Sequence, residues 1–134
     1  MSFRSLGVFD GWVLEQDETS GKSGTLDAAA TTARVGDDAS DRQWRSILHF
    51  DTATLPGNAV ITGVTLRIKR QRMVGANPFD THGFLTVDVK SGAFHDNPAL
   101  ESLDFHAIGS RGDVGRFIRI PALGWYRAPL RAPA

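Results

Sequence analysis

The strongest constraint in this chain is a two-residue rhythm. In VTLRIK, Val64, Leu66 and Ile68 fall on one side and Thr65, Arg67 and Lys69 on the other, while in LTVDVK, Leu85, Val87 and Val89 alternate with Thr86, Asp88 and Lys90. Successive side chains leave a β-strand on opposite faces, so each segment reads as a strand with one apolar and one wetted face, as in antiparallel sheets. No segment sustains the apolar stripe of an amphipathic helix. GWVLE, TTARVG, SILHF, VGRFIRI and GWYRAPL are further strand candidates, with Leu48 and Phe50 of SILHF on one side of a central strand. One short helix is expected from Pro98 to about His106. TSGKSG, GDDASD, LPGN, GANPFDTHG and GSRGD separate these segments and carry the Gly, Asn, Asp, Ser and Pro of turns. Short strands at turn-marked intervals imply an all-β, antiparallel sandwich or barrel.

With 134 residues the expectation is a single domain spanning 1–134, large enough for one core. Zero formal net charge leaves no global field toward nucleic acid or an anionic membrane. The end is locally cationic, since Arg111, Arg116, Arg119, Arg127 and Arg131 face only Asp113, as a solvated edge or an anion-binding patch. The lack of cysteine excludes disulfides, thiolate catalysis and thiolate-bound zinc. No run approaches the ~18 apolar residues of a membrane span, and MSFRSLGVFDGW lacks the apolar core of a signal peptide. Gly21-Lys22-Ser23 spells the end of a phosphate-binding loop. Gln16 stands where that motif needs glycine, however, and GTLDAAATTARVG is unsuited to the helix that must follow.

Four strings occur in a family order: DGWVLE; TTARVGDDASDRQWRSILHFDTATLPGNAVITGVTLRIKR; VGANPFDTHGFLTVDV; and GWYRAPL. Together they resemble the DNRLRE domains, which are similar to an alginate-binding family of carbohydrate-binding modules. The resemblance covers nearly the whole chain. It implies a jelly-roll β-sandwich without catalytic machinery, an extracellular or cell-surface location, and a role in holding glycans or anchoring and spacing other domains. In the middle string, Phe50-Asp51 is expected to end a buried strand, Leu55-Pro56-Gly57-Asn58 to make the loop, and Val60-Ile61 with Val64, Leu66 and Ile68 to begin the next strand. The family pattern continues beyond the Trp-Tyr strand, whereas this sequence ends in RAPLRAPA, which implies a C-terminally shortened sandwich. An unpaired strand row templates another chain, so a homo-oligomer, a strand-donating partner or a rearranged end is expected. Two further roles stay open: a building block of a surface layer, fibre or adhesin, and an accessory fragment of a polysaccharide-degrading enzyme.

Carbohydrate recognition needs flat aromatic surface, and an acidic glycan needs cations as well. Tyr126, beside Arg127, is expected to be the most exposed aromatic, with Trp125 on the opposite face; Trp12 and Trp44 suit the core. Arg67 and Lys69 point outward, and Arg45 is expected on a neighbouring strand, giving a basic row for an anionic polysaccharide. The same cations would otherwise pair with Asp88 across the sheet. Asp37, Asp38 and Asp41 crowd the GDDASDR turn, either as ligands for a structural calcium or as turn caps pairing with Arg42. His49, His82, His95 and His106 show no metal-ligand spacing. Arg111-Gly112-Asp113 reads as turn chemistry between Gly109 and Gly115.

Overall fold

A computed structural model describes residues 1–131, so the last three residues of RAPLRAPA lie outside the described part. Eight strands form: β1 (Gly11–Glu15), β2 (Ser23–Asp27), β3 (Gly36–Asp37), β4 (Gln43–Ile47), β5 (Val64–Lys69), β6 (Thr86–Val89), β7 (Arg111–Arg116) and β8 (Trp125–Leu130). They make two four-stranded antiparallel sheets, ordered β2-β1-β4-β3 and β5-β8-β7-β6, so the all-β expectation holds. The chain divides into two compact units that interleave along the sequence. The first comprises Met1–Asn58 and Gly92–Ile108, the second Ala59–Ser91 and Gly109–Ala134.

In the first unit, Val13 on β1 is fully buried and stands opposite Leu26 on β2. Residues 92–108 bring Leu100 and Phe105 onto this apolar spot, with Leu26 and Ile47 packed around them. Phe105 sits in a 3₁₀ turn, Ser102–His106, rather than in the expected helix from Pro98. A capping box sets that start: the Asp104 carboxylate accepts the Glu101 N–H at 2.8 Å and the Glu101 side chain accepts the Asp104 N–H. Arg45 completes the cover, lying 4.3 Å from the Phe105 ring centroid and donating to the Phe105 carbonyl at 2.6 Å.

In the second unit the pairing of β5 with β8 runs without a shift from Val64↔Leu130 to Lys69↔Trp125. One face carries Leu66, Ile68, Tyr126, Ala128 and Leu130. Ala128 is fully buried, and buried Phe79 packs on Tyr126 with ring centroids 5.7 Å apart. Phe79 is placed by a single helical turn, Pro78–Thr81, whose Asn77 cap and leading proline follow ordinary helix-start chemistry. Gly115 is required where β7 meets β8, because a Cβ there would come within 2.7 Å of Leu130 Cδ2 and 2.8 Å of the Pro129 oxygen.

Several expected strands shift. SILHF is central only as far as Ile47. Beyond it, the His49 N–H goes to Asp10 Oδ1 at 2.9 Å and the His49 carbonyl to the Leu6 N–H at 2.8 Å, leaving Phe50 37% exposed. Val60 and Ile61 begin no strand and are 88% and 59% exposed. In TTARVG the Ser46 hydroxyl takes both the N–H and the carbonyl of Arg34, at 2.8 and 2.7 Å, in place of a strand ladder. The seventh strand begins at Arg111, so Arg111-Gly112-Asp113 lies within β7 and not in a turn.

Phe105→Ala removes the largest fully buried side chain of the first unit. It should lower unfolding free energy by about 3 to 5 kcal/mol in urea denaturation.

Candidate functional site

Alternation places Thr65, Arg67 and Lys69 of β5 beside Pro129, Arg127 and Trp125 of β8, on the face opposite Ala128 and Tyr126. The register sets Arg67 directly across from Arg127 and Lys69 across from Trp125. The Arg67 guanidinium lies 4.8 Å from the Trp125 ring centroid, a cation–π contact worth roughly 0.5–1 kcal/mol at an exposed site. Two like charges directly opposed on a sheet repel each other. Among the described residues no carboxylate forms an ion pair with Arg67, Lys69 or Arg127.

Beside this face lies an open depression of about 470 Å³, lined by Thr65, Arg67, Ala122, Leu123, Trp125 and Arg127. Its rim is a tight turn in which Ala122 and Trp125 exchange backbone hydrogen bonds at 2.9 and 3.0 Å. Both central residues are left-handed, Leu123 at φ 51° and Gly124 at φ 79°, and Leu123 is fully exposed. An apolar tip, an aromatic ring and two guanidinium groups thus border one hollow.

Two expected placements are corrected. Tyr126 is half-buried on the inward face against Phe79, so Trp125 is the aromatic on the basic face. Arg45 belongs to the other sheet, where β4 pairs with β1 and β3 and not with β5, and it is held by Phe105 and by Gln43 Oε1, which accepts its Nε at 2.8 Å. The Asp88 alternative also fails. Its strand lies at the far edge from β5, and Asp88 Oδ1 accepts the Asp113 N–H at 2.7 Å. Nothing in the sequence marks Leu123 or Thr65 as lining this depression, whereas period two counted from Trp125 puts Arg127 on its side.

The remaining arginines near the end are mostly neutralised. Arg116 and Arg131 converge on Asp113, and Arg119 pairs with Asp80. The hydrogen bond from Arg116 holds the Asp113 carboxyl below the usual range and raises Arg116 in turn. Trp12 and Trp44 are half-buried in the first sheet, with the Arg34 guanidinium 4.9 and 5.8 Å from their ring centroids.

In GDDASDR, Asp38 Oδ1 accepts the N–H groups of Ser40 and Arg42 at 2.8 and 3.0 Å, while Oδ2 takes the Arg42 side chain at 2.8 and 2.6 Å. That is turn capping with an arginine partner. Asp37, Asp38 and Asp41 do not converge as a ligand set; among the described residues, the group that does is His95, Glu101 and Asp104. In the loop after β1, Asp17 Oδ1 accepts the N–H groups of Thr19 and Ser20 at 3.1 and 2.8 Å, using donors that a phosphate would need. Gly21 there is left-handed at φ 57°.

No protein-family model, curated protein or solved structure matches this chain. The site therefore stands on its own chemistry.

The Arg42 hydrogen bond holds Asp38 below the ordinary carboxylate range. A depressed folded-state value adds stability above the unfolded carboxyl's range, and that stability is lost as pH falls through the folded value. Arg42→Ala should therefore bring Asp38 back toward ordinary titration in carbon-detected NMR. It should also make the acid loss of stability below about pH 4 shallower.

Proposed function

We propose that the chain is a non-catalytic binding module for an anionic polysaccharide, acting outside the cell or at its surface. One observation carries this reading: Trp125 lies among Arg67, Arg127 and Lys69 on a single wetted face, and no carboxylate neutralises those cations among the described residues. A pyranose presents a C–H face that stacks on an indole, and a uronate or sulfate group accepts a bidentate fork from guanidinium. An anion between Arg67 and Arg127 also relieves their mutual repulsion. The depression is lined by no acid, whereas glycoside hydrolysis ordinarily uses a pair of carboxyl groups flanking the bond. The resemblance to DNRLRE domains, and through them to alginate-binding modules, points the same way, with a jelly-roll sandwich as its expected topology.

Alginate should bind in isothermal titration, and the affinity should fall as salt rises because exposed charges are screened. Trp125→Ala and the Arg67→Ala/Arg127→Ala pair should each weaken binding at least about tenfold, which corresponds to about 1.4 kcal/mol. Arg45→Ala should leave it unchanged. Equal binding of a neutral glucan, or full binding by the double-arginine variant, would sink this reading.

A structural role is favoured by a different observation. Strand β5 lies at a sheet edge, and the exposed Val60 and Ile61 lead into it. An apolar segment beside an unpaired strand row invites strand addition from a second copy. Sizing chromatography across micromolar concentrations should then show self-association that Ile61→Asp abolishes; a concentration-independent monomer speaks against it.

A further inference from the structure

Asp104 is the only charged residue in the buried set among the described residues, with its side chain 4% exposed. A buried carboxylate is costly unless it is paired and hydrogen-bonded. Its Oδ2 is satisfied by the Glu101 N–H, and its Oδ1 faces His95 Nδ1 at 3.2 Å. Glu101 adds a second carboxylate, so one imidazole nitrogen and two carboxylate oxygens lie within 4.8 Å of one another. A neutral imidazole gives a hydrogen bond but no charge, and the two acids bring two negative charges into one half-buried spot.

We infer that His95, Glu101 and Asp104 bind a divalent transition-metal ion, with zinc the best-suited probe. Imidazole and carboxylate suit zinc and its neighbours better than calcium, which takes oxygen ligands. Ligand bonds of about 2.0–2.2 Å require these donors to close in by roughly 1 Å. Exposed His95 can make that movement, being 43% accessible at its side chain. The acids already have outer partners that orient them: Asn97 Nδ2 donates to Glu101 Oε1, and the reciprocal capping bonds join Glu101 to Asp104. Such outer contacts set the direction of metal ligands and tune their affinity. The two sequence neighbours His95 and Asp96 are both left-handed, at φ 50° and 58°, which turns the imidazole back over the 3₁₀ turn.

An ion here would fasten the turn containing His95 to the turn containing Phe105, and so to the cover over Val13. This inference is independent of the polysaccharide reading, since all three ligands lie in the first unit and the basic face in the second. The full chain, stripped with chelator, is titrated with zinc by calorimetry and thermal melting. One ion per chain should bind and raise the melting temperature by several degrees, as ligation to the native state alone requires. His95→Asn keeps a residue that tolerates the left-handed turn while removing the imidazole. It and Glu101→Gln should each weaken zinc binding by about tenfold or more. Asp41→Asn should bind like the parent chain. The ring-nitrogen chemical shift of His95 should move on saturation. Zinc binding that survives His95→Asn, an unmoved His95 resonance, an absence of saturable binding, or calcium giving the same effect would overturn the assignment.

Discussion

The contact on which the first sheet depends is made across a long stretch of sequence. Val13 belongs to the first strand, yet the residues that remove it from water, Leu100 and Phe105, arrive only after the whole of β5 and β6 has been laid down. Neither side can be apolar in isolation: strand and cover require each other. Arg45 seals the rim by using its guanidinium twice, on the Phe105 ring and on the Phe105 carbonyl. A residue that looks like surface charge in the sequence is thereby part of the core's edge.

The second unit is governed by phase rather than by distance in sequence. The six unshifted pairs of β5 and β8 align two alternations, so one face collects Ile68, Tyr126 and Ala128 and the other Arg67, Arg127 and Trp125. A shift of one residue in either strand would put arginine against Phe79 and turn the apolar side outward. The packing of Phe79 on Tyr126 therefore holds the basic face in position from behind. Inner packing and outer chemistry are two consequences of one register.

Much of the strand pattern was legible. VTLRIK and LTVDVK carry their alternation openly, and Leu66, Ile68 and Val87 are sheltered while Arg67, Lys69 and Asp88 are exposed. In GWYRAPL the neighbouring arginine suggests an outward tyrosine, yet Tyr126 faces Phe79. Adjacent strand residues point to opposite faces, so that adjacency argues for the reverse. The apolar run of SILHF continues three residues past the end of β4 at Ile47, while the ladder stops where Asp10 and Leu6 take the His49 backbone. A helix beginning at Pro98 overruns the start that Glu101 and Asp104 mark by their capping-box spacing. The convergence of His95 with those two acids had no periodic signature, since it depends on consecutive left-handed residues and a turn of the chain between them.

The turn at Leu123 has a consequence for how this molecule could be improved. Two-residue hairpin turns of this kind favour asparagine before glycine, because the left-handed region penalises a branched or bulky side chain. Leucine occupies that place fully exposed, giving up both backbone ease and shelter from water. A designer seeking only robustness would exchange it first. If the hollow beside Trp125 meets a ligand, that same exchange removes the apolar tip from the rim, and robustness and recognition become opposing demands on a single side chain.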